Sequence, residues 1–410
     1  MSAAAGRQRA RGVQRRGHAS GDTASTSLRE LALVFLRLGT TAFGGPAAHI
    51  AMMEGEVVRR RRWLSREQFL DYLGATNLIP GPNSTELAIH IGHARAGWPG
   101  LVVAGLAFIV PATLMVGGIA WAYVRYGALP EVAGVLYGVK PVVIAVILQA
   151  LWGLGRAAIK TVCLAVLAVL AVASVSAGVH ELLVLVGAGL VMAVARRPGV
   201  WRTTGVGGFA LGAAVTSGGA GVAAATGAGA AAAPFGLGTL FLVFARIGAV
   251  LFGSGYVLLA FLRADLVHRL GWLTERQLLD ATAVGQVTPG PVFTTATFIG
   301  YVLGGPAGAA VATAGIFLPA FVFVALSGPL VPRLRRSPTA GAVLDGVNVA
   351  SLALMTVVSW QLARTAIVDI PTLALAVLSL VAILRFHVNS AWLVAAGGTT
   401  GWLAMLLHGR

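Results

Sequence analysis

Apolar residues run along this chain in long unbroken blocks rather than in alternation. Segments 101–124, 132–154, 162–175, 240–262, 308–330 and 370–384 carry few or no charges and are rich in Ala, Leu and Val. About 20 such residues span the hydrocarbon core as helix, the form that satisfies its backbone within one segment. A membrane β-barrel needs short segments of alternating polarity separated by turns, and that pattern is absent. The expected class is therefore all-α, a polytopic membrane protein with several spans.

Breaks in the blocks are as regular as the blocks. The first element starts at Leu28, with Ser27 and Glu30 spaced as a capping box, and meets Phe43-Gly44-Gly45-Pro46, where two glycines and a proline interrupt a helix. A hairpin that enters, turns there and leaves keeps the basic tail and Arg59 to Arg62 on one side, and this is the form expected. The next element begins at Trp63-Leu64-Ser65, with Gln68 completing another box, and breaks at Pro80-Gly81-Pro82. Proline suits the first turn of a helix, so a new half-helix is expected from Asn83.

The second part of the chain repeats the first. Segments 31–39 and 240–248 agree at six of nine positions, and the same offset of 209 aligns WLSREQFLD (63–71) with WLTERQLLD (272–280) and Pro80-Gly81-Pro82 with Pro289-Gly290-Pro291. Further on the offset is 208, pairing Pro111 with Pro319 and Gly138-Val139-Lys140 with Gly346-Val347-Asn348. The expected organisation is a basic disordered tail (1–27), a first repeat (28–200), a Gly/Ala-rich joint (201–236) that is either a linker or an extra helix, and a second repeat (237–410). Positive charge marks the cytoplasmic side. It follows the first element in one half (Arg59 to Arg62) and the third in the other (Arg333, Arg335, Arg336), so the repeats are expected to be inverted.

Composition fits this picture. The chain has 410 residues, 57% hydrophobic and 11% charged, and its formal charge of +16 comes from 30 basic against 14 acidic residues. The arginines flank apolar segments, which explains them by topology rather than by nucleic acid. Cys163 is alone in an apolar run, so no disulfide or cysteine metal site is expected. No P-loop, HExxH, GxSxG or paired CxxC occurs; neither enzyme chemistry nor a cofactor is expected, and energy must come from an ion gradient or the membrane potential.

Paired broken helices in two repeats suggest a transporter with a site near the midplane. A helix starting at depth offers free N–H groups and the positive end of its dipole to an anion. The candidate binding residues are thus Pro80, Gly81, Pro82, Asn83, Ser84 and Thr85 in the first half, and Pro289, Gly290, Pro291, Thr294 and Thr295 in the second. Lys140 lies inside an apolar segment at a cost of about 2.5–3.5 kcal/mol, so it is expected to face a cavity, partner or anion, with Asn348 as its repeat partner; snorkelling is the competing reading. Arg37 and Arg246 occupy matching positions, either holding an oxyanion or fixing the element at the interface. For proton coupling the candidates are Glu86 and His90, with His93 beside them, although both histidines are equally read as wet residues near the cytoplasmic end. Asp71 and Asp280 match each other and are expected in local salt bridges.

FGGP at 43–46, the run WLSREQFLDYLGATNLIPGPNST at 63–85 and its weaker copy ending at 289–291 resemble the long-chain chromate transporter family. The resemblance covers nearly everything outside the tail and the joint. It implies two homologous transport domains of opposite orientation in the inner membrane and export of chromate, with protons involved and sulfate as a competitor; a passive channel and transport of another oxyanion are the alternatives. By motif, Gly44, Gly45, Pro46, Asn77, Pro80, Gly81, Pro82 and Asn83 carry the family pattern. The second half departs from it with Gly253, Ser254 and Gly255 for GGP and Gln286 for Asn77, which implies unequal contributions. The partners expected are a chromate- or sulfate-like oxyanion and the lipid bilayer, with a homodimer left open.

Overall fold

The computed structural model describes residues 26–42, 45–127, 130–195, 235–251, 257–335, 337–386 and 388–408. Apart from their last two residues, the tail at 1–27 and the joint at 201–236 lie outside this range, so the expectations placed on them are not addressed by it. Among the described residues all regular structure is helical. Four stretches, Asn83–Tyr126, Val132–Arg156, Val292–Ser327 and Thr339–Ala366, are long and apolar enough to cross a membrane. Exposed Leu106, Val110, Leu114 and Trp121 line one of them, an outward apolar surface suited to lipid rather than water.

Each half opens with a helix that stops midway. Helix α1 (Leu28–Thr41) buries Leu31, Val34, Phe35 and Leu38, and the Ser27 hydroxyl accepts the Glu30 amide at its start. After the break, α2 (Gly45–Glu54) continues as a π turn (Gly55–Arg60) and returns, because Arg61 pairs with Glu30 at the start of α1. The hairpin expected from charge placement is therefore present. Helix α3 (Arg66–Thr76) starts from the complete Ser65/Gln68 capping box and leads to the Pro-Gly-Pro break.

Beyond that break, α4 (Asn83–Tyr126) has two antiparallel limbs. Ala96 and Gly97 leave helical geometry (Gly97 φ +61°), and Gly92 and Gly100 then lie back to back, so close that a Cβ on either would strike the other's carbonyl. Along a straight helix these residues would stand about 12 Å apart. The first limb ends at Arg95, whose guanidinium donates to Thr26 Oγ1 (2.8 Å) and the Trp63 carbonyl (3.1 Å). The start of α1, the end of α2 and the end of this limb thus share one face, here face A. Ala42 and the break at 80–82 mark the deep ends of two re-entrant hairpins, and the second limb crosses to the opposite face, B.

From face B, α5 (Pro130–Ala158), α6 (Val162–Ser176) and α7 (Glu181–Ala195) complete the first half. The second half repeats the series as α8 (Leu237–Val250), α9 (Leu258–Leu262) with a π turn (Arg263–Arg269), α10 (Glu275–Val287), a 3-10 turn (Val292–Thr294), α11 (Thr295–Arg335), α12 (Pro338–Ala366), α13 (Ile370–Phe386) and α14 (Ser390–His408). Gly304 and Gly305 turn the chain as Ala96 and Gly97 do, with φ of −143° and +61° at both places. The tight 3-10 turn accounts for the register change from 209 to 208, since it advances with fewer residues per turn.

The halves interlock by exchange. Helix α5 packs on α13 and α14 while α12 packs on α6 and α7, and the close approach of Gly138 to Gly397 has its counterpart in Gly346 against Ala188. Their orientation is inverted. Leu101, near the face A end of the long limb of α4, packs with Ala320 and Val324, far along the corresponding limb of α11. At the other end the Tyr123 hydroxyl donates to Asp280 (2.9 Å), which sits near the start of α10. Equivalent limbs therefore run antiparallel, and the entry face of one half is the exit face of the other.

Candidate functional site

The four hairpin tips meet in the interior, each against a tip of the other half. The Gly81 amide donates to the Leu251 carbonyl (2.7 Å) and the Gly290 amide to the Ala42 carbonyl (3.0 Å), two bonds related by the repeat. Gly81 also lies against Ala320, and Gly290 against its equivalent, Ala112. Both glycines have positive φ, +141° and +92°. A Cβ on Gly290 would come within 2.6 Å of that of Ala112, so glycine is required for backbone conformation and for close approach.

These bonds refine one expectation. The glycine amides are engaged across the halves, so the donors remaining at the first tip are the opening amides of the new helix, at Asn83 and Ser84, which have no partner within the helix itself. Pro82 caps that helix in extended geometry with no side-chain bond. Asn77 ends α3 and is exposed, and its Oδ1 accepts from Asn83 Nδ2 (2.8 Å), bridging the two sides of the break. Pro80 and Asn83 are half-buried, whereas Pro82, Ser84, Thr85, Glu86 and His90 are buried. At the second tip Gln286, Pro289, Pro291, Thr294 and Thr295 are all buried, and the two threonine hydroxyls donate to the Pro291 and Val292 carbonyls (2.8 Å each). The first tip is thus the more open of the two.

Polar atoms without hydrogen-bond partners gather here. Among the described residues they include Asn83 Oδ1, Thr85 Oγ1, both Glu86 oxygens, His90 Nε2 and Gln286 Nε2. Buried polar groups are normally satisfied, so such a concentration is exceptional. Gly45 (φ +78°) and Pro46 start α2 at the edge of this region, while Gly44, Gly253, Ser254 and Gly255 lie outside the described residues.

His49, which no sequence motif singled out, also lies at this meeting point. Its ring contacts the Ala42 carbonyl (3.1 Å) and Ser84 Oγ (3.3 Å) and stands edge-on to Phe108, tying the end of α1 to the start of α4. A lone histidine three residues after GGP in an apolar stretch was the available signal. His90 is buried and stacks on Tyr72, whereas His93 is exposed beside Trp98 at face A.

The remaining candidates lie away from the tips. Lys140 is buried and its ammonium stands 2.9 Å from Asp280 Oδ1, without hydrogen-bond alignment to that oxygen, while the other Asp280 oxygen accepts from Tyr123. Asp280 precedes the second tripeptide by nine residues, about 13 Å of helix, so Lys140 ties the halves together on the face B side of the tips. Asn348 is half-buried. Arg37 is exposed on α1 opposite its buried stripe, and Arg246 is exposed and pairs with Asp265. At face A, burial works against the charge of Glu56, but hydrogen bonds and charge from Arg61 and Arg60 outweigh it and hold the carboxyl below its ordinary value.

Inverted halves, re-entrant hairpins and a polar meeting point of their tips are the architecture of a membrane transport protein. The profile of the chromate transporter family matches residues 29–193 and again 238–402, and the chain belongs to that family. It is 35% identical over 375 residues to a chromate transport protein of Cupriavidus metallidurans, covering 90% of this chain and 91% of that one. It is 33% identical over 382 residues to a chromate transport protein of Pseudomonas aeruginosa (90% of each), and 32% identical over 358 residues to a probable chromate transport protein of Synechococcus elongatus (87% and 89%). No solved structure matches.

Proposed function

We propose that this protein is a secondary transporter that exports chromate or a similar tetrahedral oxyanion across the bacterial inner membrane, using the proton motive force. The observation that carries this reading is the reciprocal meeting of the tips, which sets two helix starts and a group of unsatisfied polar atoms in the protein interior. The anion sits between the first tip (Asn77, Asn83, Ser84, Thr85) and the second (Gln286, Thr294, Thr295), held by the helix-opening amides, the Thr85 hydroxyl and the Gln286 side-chain amide rather than by a free cation. Glu86 and His90, behind the first tip, are the protonatable groups. The Lys140–Asp280–Tyr123 tie closes the face B side, and the basic residues Arg59 to Arg62 support a cytoplasmic reading of face A and of the N-terminal tail.

Reconstituted vesicles loaded with labelled chromate test this, with the electrical and pH gradients imposed separately. Expected are saturable flux, competition by sulfate and loss of accumulation when both gradients are collapsed. Flux that never accumulates against a gradient, with discrete conductance steps in planar bilayers, would make the protein a channel; no flux under any gradient removes the oxyanion reading.

A further inference from the structure

The two tips differ in what fills the helix start behind them. At the first, a Cβ built on Gly81 would collide with Glu86 Oε1, so this carboxyl folds back over the tripeptide and lies at the opening of its own helix. Glu86 is wholly buried and neither oxygen has a hydrogen-bond partner among the described residues. The opening turn of a helix favours a negative group, and here the protein supplies one of its own. At the second tip the equivalent positions are Thr294 and Thr295, whose hydroxyls are turned onto their own backbone. One seat therefore holds an internal acid and the other is free of charge.

We propose that Glu86 is the resident anion of the first seat, and that an oxyanion enters it only together with a proton that neutralises this carboxyl. The inference rests on the transport reading above and specifies its coupling. Two negative groups at one helix terminus repel each other, so the carboxylate and the oxyanion exclude one another. Once a proton from water is on the carboxyl, the group becomes an O–H donor and adds a hydrogen bond to the oxyanion instead of competing with it. Proton and dianion then travel in the same direction as a unit of net charge minus one. The electrical part of the proton motive force, a membrane potential negative inside, drives that unit outward against the pH part.

Other titratable groups lie on the elements around Glu86. Helix α2 brings His49 to Ser84, α3 brings Tyr72, and His90 lies on the same limb as Glu86 and stacks on Tyr72. The neighbouring limb of α11 presents Ala320 to Gly81, and the returning limb of α4 offers Leu101 and Ala104 to this region.

Binding of labelled sulfate to the full-length purified protein decides the matter, because sulfate stays a dianion from about pH 5.5 to 8.5 and its own titration does not intrude. The wild type should bind with an apparent Kd that falls as much as about tenfold per pH unit of acidification, the slope of one linked proton. It should also take up one proton per sulfate in weakly buffered solution, a readout that needs no variant. Glu86→Gln should bind sulfate with a flat pH profile and no proton uptake. Sulfate binding by the wild type without proton uptake overturns the inference and leaves the transport reading intact. So does a Glu86→Gln protein that keeps the wild-type slope, or a flat profile in His90→Gln alone. If the wild type binds neither sulfate nor chromate at any pH, the oxyanion reading and this inference fail together.

Discussion

The two halves share a backbone but not a chemistry. They turn at Ala96-Gly97 and Gly304-Gly305 with nearly the same angles, break at the same tripeptide, and insert equivalent glycines into each other. Against that common frame the first half carries His49, Glu86 and His90, where the second carries Leu258, Thr294 or Thr295, and Phe298. The face B tie of Lys140, Asp280 and Tyr123 corresponds on the other side to Asn348, Asp71 and Val331, an amide and an apolar residue in place of the cation and the hydroxyl. Backbone symmetry gives the two halves one frame, whereas unequal side chains place the titratable groups on one side of it.

The largest expected effect comes from breaking that tie. Lys140→Met leaves Asp280 charged and buried, at a cost of about 3–5 kcal/mol, and flux should be nearly abolished. Adding Asp280→Asn removes the orphaned charge and should restore most of the thermal stability measured in detergent, whereas Asn348→Met in the other half should change stability by less than about 1 kcal/mol. Equal effects of Lys140→Met and Asn348→Met would show that the tie is no asymmetry at all. Next come the tripeptide glycines: Gly290→Ala forces a side chain into positive φ and against Ala112, costing about 1–3 kcal/mol. Gly81→Ala should match it in stability yet lose more sulfate binding, because its methyl group displaces Glu86; equal loss of binding in both would separate Glu86 from the seat. The smallest effect tests a place where the symmetry is strained. Arg62 has φ +52° where the second half has Gly271 at +64°, so Arg62→Gly should stabilise by up to about 1 kcal/mol. A clear loss of stability in a thermal scan would show that Arg62 makes a contact outweighing its strain.

Much of this was legible from residue order because the bilayer leaves few options. An apolar block of sufficient length becomes a helix, and glycine-proline interruptions repeated at a fixed offset mark matching breaks. The hairpin of α1 and α2 followed from keeping two basic segments on one side, and inversion followed from the exchange of arginine clusters between equivalent loops. The capping boxes at Ser65 and Thr274 are local chemistry and formed as their spacing requires. What the pattern missed was long-range. Segment 83–126 folds back on itself at Ala96 and Gly97, a reversal seen in the backbone there and in the contact of Gly92 with Gly100 rather than in the residue pattern. His49 looked like one polar residue in an apolar stretch.

Partnership was decided in space. Lys140 advertises by its cost that it must meet a counter-charge, yet nothing in its neighbourhood along the chain names Asp280, which arrives from the other half. The glycine amides of the tripeptides are bound to carbonyls more than 160 residues away, a pairing that rests on two inverted units interlocking. The sequence by itself determined the spans, the breaks and the duplication, since these follow from the solvent and the backbone. Which polar groups are satisfied, and which stand unpaired at the meeting of the tips, was settled by tertiary packing, because hydrogen bonding and charge compensation act between neighbours in space.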